Sequence, residues 1–210
     1  PMMAQPDEFH ITLFGKGGHG AKPHETIDPI VILAEFILSA QKIVSRTIDP
    51  VKQAVLSFGK IEAGNADSVI PDTATCQGIV RTFDSEVQTH IYHKMDKLLQ
   101  GLALANDITY SFDYIKGYLP VYNHEASAET VKKAANALNF RYHDSDLMMV
   151  GEDFSFYLKA RPGAFFFTGC GNPQKETDWP HHSPHFDIDE SAMKYAVSTF
   201  MKILELEGNF

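Results

Sequence analysis

The chain has 210 residues, 44% of them apolar and 21% charged, with a formal net charge of −9. That length holds one large domain or two small ones, and the acidic balance excludes a sequence-independent grip on nucleic acid, which needs clustered Lys and Arg. No apolar run is long enough to cross a bilayer, and Cys76 and Cys170 are too few for a disulfide framework, so the expectation is reduced thiols in a cytoplasmic protein.

The chain opens with PMMAQPDEF and no initiator, and is read as a piece of a longer gene product, with residues 1–7 a stub or linker. Phe9 to Phe14 alternates and predicts a strand that ends at the loop GKGGHGAKPH, residues 15–24. There Gly15, Gly17 and Gly20 have the G-x-G-x-x-G spacing of a dinucleotide site. Such a site needs its last glycine to open a helix, but Ala21–His24 intervene before Asp28 and Pro29, an N-cap followed by proline in the first turn. The dinucleotide reading is therefore rejected. Two others stay open: a flexible turn with surface histidines, or a bend that presents one imidazole.

From Pro29 the apolar residues Ile30, Leu33, Ala34, Ile37, Ala40 and Val44 predict an amphipathic helix. Strands are expected from Ala54 and from Ala74, joined by the turn-rich NADSVIPD. Ser85 and Gln88 have capping-box spacing for a second helix, whose Val87, Ile91, Met95, Leu98 and Leu102 share a face. An alternating run from Asp107 completes a β-α-β-β-α-β order over residues 8–117, a ferredoxin-like domain. Beyond it lie a helix from Ser127 to Leu138, the very apolar GAFFFTG (163–169) and a helix through Met193, Val197, Phe200 and Leu204. The apolar run reads as a strand buried on both faces, so residues 118–210 are expected to be the second half of an α/β domain.

Three further stretches could carry chemistry. WPHHSPHFD, residues 179–187, is either a polar loop or a candidate metal or acid–base site, since imidazole suits both roles near neutral pH. GEDF, residues 151–154, puts carboxylates where a helix dipole favours them, and Glu152 could also orient a metal-bound imidazole. Arg81, in GIVRTF, is either a solvated strand residue or a planar fork for a substrate carboxylate.

Taken together, DEFHITLFGKGGHGAKPHETIDPI, SVIPDTATCQGIVRTFD, MMVGEDFSFYLKARPGAFFFTGCGN and HHSPHFDIDESAM resemble the aminoacylase and carboxypeptidase-like family of dinuclear metallopeptidases, nearest its hippurate-hydrolase-like amidohydrolases. The resemblance implies a ferredoxin-like lid that forms a homodimer and is inserted in a zinc-peptidase-like α/β catalytic domain, with N-acyl amino acids as substrates. It implies two divalent ions, zinc or manganese with nickel or cobalt also compatible. By the same resemblance His19 polarises the scissile carbonyl in the partner's site, His182 is a metal ligand, and Arg81 meets the substrate α-carboxylate. Asn123 and Glu152 fall in segments that line the site. Ser68 stands where relatives commonly have the asparagine of NVIP, which bears on substrate contact. The CGHD-like motif, paired glutamates and further histidine of the family are not in this sequence. The 210 residues alone are therefore expected to hold no metal firmly and to hydrolyse nothing, and the alternative is a non-catalytic dimerisation module.

Overall fold

The computed structural model describes residues 1–208, which group into two compact units. The first comprises Pro1–Val121 with Leu147–Phe156, the second Tyr122–Asp146 with the chain from Tyr157 on.

In the first unit, β1 (Gln5–Phe14) is followed by α1 (Pro29–Thr47), β3 (Ala54–Ala63), β5 (Thr73–Thr82), α2 (Ser85–Asn106) and β6 (Thr109–Ile115). Two short strands, β2 (Gly18–His19) and β4 (Val69–Ile70), pair with each other outside the main sheet. The main sheet runs β3-β5-β1-β6, antiparallel throughout, which is the ferredoxin-like order expected. Alternation along β1 turns Phe9, Ile11 and Leu13 onto the helix side, where each is at most 1% exposed. They meet Ile32, Leu33 and Phe36 of α1 and Ile91, Met95 and Leu99 of α2 in one core. Each such side chain contributes about 1.5–3 kcal/mol by leaving water. Gly78, opposite Phe9, makes room for its ring: a Cβ there would lie 2.3 Å from Phe9 Cζ and 2.1 Å from the Ser57 carbonyl oxygen.

Three local expectations are corrected. The buried face of α1 is Ile32, Leu33, Phe36, Ala40 and Ile43, with Ala34 exposed, because the Phe36 ring takes the centre against Phe58 at 5.9 Å. The cap of α2 is Asp84, which accepts from the Glu86 N–H (2.8 Å) and Val87 N–H (3.4 Å), while the expected partner Gln88 is buried elsewhere. Finally, β1 starts at Gln5, not Phe9, since Gln5 and Asp7 are buried polar residues that satisfy one another.

The second unit holds α3 (Glu125–Ala137), most of α4 (Ser155–Ala160) and α5 (Met193–Leu206), and α3 packs on α5. No strand is assigned to residues 163–169, contrary to expectation. A strand exists only through a ladder partner, and the Phe165 backbone is instead held by a side chain, the Asn123 amide, through bonds of 2.8 Å in each direction.

Candidate active site

The glycine loop is built by close approach. The Gly15 N–H donates to the Asp72 carbonyl (2.8 Å), Gly17 N–H to Asp72 Oδ1 (2.8 Å) and Gly20 N–H to the Ser68 carbonyl (2.8 Å). Side chains would not fit, because a Cβ at Gly15 would sit 2.3 Å from the Ile27 oxygen and one at Gly17 2.6 Å from the Ile70 oxygen. None of Gly15, Gly17, Gly18 and Gly20 has positive φ; the chain bends directly after His19, where the Lys22 N–H donates to the His19 carbonyl (2.8 Å), and the loop leading to it forms a short two-stranded arm. The loop does not open α1, which starts nine positions after Gly20.

His19 is carried on that arm opposite Val69, and its side chain is exposed. Its Nδ1 takes the Ala21 backbone N–H at 3.1 Å. A ring nitrogen that accepts carries no proton, so the neutral imidazole bears its hydrogen on Nε2. Among the described residues no hydrogen bond engages Nε2, which leaves a donor facing outward from the arm. Ser68 is exposed on the same arm, beside β4.

Arg81 lies on β5, an interior strand, between Pro6 of β1 and Val55 of β3. Its neighbours Val80 and Thr82 point into the core at 0% and 1% exposure, which puts Arg81 on the face without helices. Among the described residues its guanidinium has no ion pair. Glu152 is half-buried ahead of α4, its Oε1 accepting from the Phe154 N–H at 3.3 Å. His19, Ser68, Arg81 and Glu152 belong to the first unit, Asn123 and His182 to the second.

The histidine cluster resolves into three different residues. His185 packs on Trp179, with ring centroids 5.1 Å apart, and His181 on Phe186 at 4.9 Å. His182 sits between them, exposed, with φ of 66°. That left-handed conformation costs roughly 1–2 kcal/mol for a residue with a Cβ. Hydrogen bonds from Ser183 N–H to the Pro180 carbonyl (3.1 Å) and from Phe186 N–H to the Ser183 carbonyl (3.1 Å) hold the turn that imposes it. Among the described residues no three His, Cys, Asp or Glu side chains come together as a metal-binding group.

Three carboxylates that hold this architecture went unread in the sequence. Asp72 ties the glycine arm through Gly17. Asp189 closes the histidine loop: its carboxylate accepts from Asn172 Nδ2 (2.7 Å), Lys175 Nζ (2.7 Å) and the Ser191 N–H (3.1 Å), and its own N–H donates to the Cys170 carbonyl at 2.8 Å. The bond from Asn172, followed by that from Lys175, holds this carboxyl well below the usual range. Its place ahead of Glu190 and Ser191 is a readable cap signal. Asp7 has no such signal; it is one of two adjacent acids, Asp7 and Glu8, ahead of the apolar alternation.

Residues 7–107 match the family described as the peptidase dimerisation domain of M20 type. The chain is 37% identical over 193 residues to the N-acetyl-L-cysteine deacetylase of Bacillus subtilis, covering 92% of this chain and 45% of that protein. It is 35% identical over 210 residues to the N-acetyldiaminopimelate deacetylase of Enterococcus faecalis, covering 97% and 54%. Among solved structures, the YxeP protein of Bacillus subtilis, a dinuclear metal binding peptidase from the M20 family, superposes with a TM-score of 0.75 at 29% identity, covering 97% of this chain and 50% of that one. The chain thus spans about half the length of the curated relatives it matches. A dimerisation domain of this type, relatives along nearly the whole chain and a shared fold lead to one conclusion: the chain belongs to the M20 peptidase family.

Proposed function

We propose that this chain is the lid and the C-terminal catalytic segment of a cytoplasmic, metal-dependent amidohydrolase that removes the acyl group from N-acyl amino acids. Residues 8–117 form the lid in this reading and residues 118–210 the catalytic segment, with residues 1–7 a stub of the catalytic domain or a linker that leads into the lid. The observation that carries it is His19: an exposed imidazole on a two-stranded arm, with Nδ1 bound and, among the described residues, Nε2–H free to donate. Such a donor stabilises the oxyanion that forms as an amide carbonyl is attacked. Placed in the partner's site of a lid homodimer, His19 would act in trans.

Arg81 supplies the other anchor. Its planar fork, unpaired and half-buried, suits the α-carboxylate of an N-acyl amino acid by two parallel hydrogen bonds. Ser68, close to His19 on the arm, is assigned to substrate contact, while Asn123 acts through the Phe165 backbone that it holds. His182 is assigned one position in a two-ion centre of zinc, manganese or a similar metal, and Glu152 the orientation of a ligand there. Among the described residues the donors do not group into a metal site, so the remaining ligands and the water-activating base are assigned to other parts of a longer protein. The hippurate-like preference is part of the proposal, alongside the N-acetyl amino acids named for the relatives.

The test is turnover of N-acetyl-L-cysteine and of hippurate by the full-length protein, before and after chelation. Metal-dependent hydrolysis by that protein, with none by the 210 residues alone, is the expected result. Hydrolysis by the 210 residues alone would overturn the division of ligands. The second reading, a non-catalytic dimerisation module, is favoured by the extent of the matched family over residues 7–107. It predicts stable dimers and no turnover from either form.

A further inference from the structure

Asp7 is 1% exposed, and both of its carboxylate oxygens are fully used. Oδ1 accepts from Gln5 Nε2 (2.9 Å) and from the Gly117 backbone N–H (3.0 Å), while Oδ2 accepts from Gln88 Nε2 (2.7 Å) and the Tyr114 hydroxyl (2.8 Å). Four donors therefore meet the four lone-pair positions of an ionised carboxylate, and they come from β1, α2, β6 and the segment that leaves β6. Burial, and after it the Asp7 charge, drives the Tyr114 phenol far above its ordinary range and keeps it a donor. A buried carboxylate is a costly way to fill a core position. What it does here that an apolar side chain cannot is capture the Gly117 N–H.

Gly117 in turn is pressed against Pro6, where a Cβ on it would lie 1.8 Å from the Pro6 oxygen. Gly151 reaches the same residue, and a Cβ there would lie 2.4 Å from Pro6 Cγ. The Leu147–Phe156 segment is also laddered to the chain start, through Ala4 N–H to the Met148 carbonyl (3.0 Å) and Met148 N–H to the Met2 carbonyl (2.9 Å). On the sheet, Pro6 is the direct partner of Arg81. One residue thus references both the strand that bears Arg81 and the segment that bears Glu152.

We infer that Asp7 is a positioning residue: by clamping Gly117 onto Pro6 it fixes Arg81 relative to the Gly151–Glu152 segment, and so sets how well the site grips the α-carboxylate of an N-acyl amino acid. This rests on the roles proposed above for Arg81 and Glu152. It assigns Asp7 to substrate binding rather than to bond breaking, and it makes the charge, not the volume, of the side chain the part that matters.

The experiment compares Asp7→Asn, Gly151→Ala and Ile43→Ala in the full-length protein, with N-acetyl-L-cysteine as the probe. Asp7→Asn places an amide among four donors, whereas Ile43→Ala thins the core on α1, takes no part in the Asp7 hydrogen bonds, and serves as the stability control. Asp7→Asn is expected to raise KM about tenfold with kcat within about threefold, and Ile43→Ala to lower the melting temperature with KM unchanged. Gly151→Ala, which leaves the core intact, is expected to raise KM in the same way, and it carries the test if Asp7→Asn does not fold. Equal KM changes in Asp7→Asn and Ile43→Ala, or an unchanged KM in Gly151→Ala, would overturn the inference. If the wild type hydrolyses nothing, the functional proposal fails and hydrogen exchange decides the clamp separately. Faster exchange at Gly117 and across Leu147–Phe156 in Asp7→Asn, but not in Ile43→Ala, sustains the clamp, and unchanged exchange there rejects it.

Discussion

The two units are built from similar amphipathic helices and treat them oppositely. In the first, α1 and α2 lay their apolar stripes on a four-stranded sheet, and Phe9, Phe36, Ile91 and Met95 are at most 1% exposed. In the second, α5 leaves Met193, Val197, Phe200 and Met201 more than half exposed. Apolar periodicity therefore states which face of a helix seeks burial, not whether a partner is present to provide it. Under the functional proposal the rest of the catalytic domain covers this stripe.

The contrast can be broken by truncation. Phe9→Ala is expected to cost about 3–5 kcal/mol in chemical denaturation, because it empties a site with no room to collapse. Phe200→Ala, on the exposed face of α5, is expected to stay within about 0.5 kcal/mol in the 210-residue chain. Equal losses would mean that the second unit has a core of its own at Phe200. At the next scale, Asp84→Ala should remove about 1 kcal/mol through the lost cap of α2, and Ser85→Ala almost nothing. The reverse order would restore Ser85 as the cap.

Acid should separate the units as well. The Asp189 carboxyl is lowered by its bonds from Asn172, Lys175 and Ser191. A depressed carboxylate contributes stability that is fully present above its unfolded value, about pH 3.9, and is lost as pH falls below that toward the folded value. Trp179 is the sole tryptophan and packs on His185 in the adjoining loop, so its fluorescence reports this site. The expected result is an emission change on acidification below about pH 4 that Asp189→Asn moves to neutral pH. No change in that variant would exclude Asp189 as the loop's fastening.

The ferredoxin-like unit was legible because its signals are local and agree: alternation in β1, Asp28 before Pro29, a turn-rich link between β3 and β5. What escaped depends on distant partners. The partners of Asp7, Gln88 and Gly117, arrive from elsewhere in the chain, so the alternation from Phe9 does not by itself reveal that β1 reaches back to Gln5. Residues 163–169 read as a buried strand because Phe165–Phe167 are apolar, but a ladder needs a neighbour and Asn123 supplies a side-chain substitute. His19 and His182 were singled out by resemblance to a family; the residues alone left three histidines of the second cluster equivalent, and only the φ of His182 and the ring contacts of His181 and His185 tell them apart.

The central claim is that His19 of one subunit serves a site completed by His182 of another. Full-length His19→Gln should lose about 10²–10³ in kcat, and His182→Ala should be inactive through loss of its metal. Mixing the two inactive variants under conditions that exchange subunits tests the claim most directly, because the heterodimer then contains one site with both histidines intact. Recovered hydrolysis of N-acetyl-L-cysteine on mixing is the predicted result; two variants that each form dimers, exchange subunits and stay inactive together would contradict it.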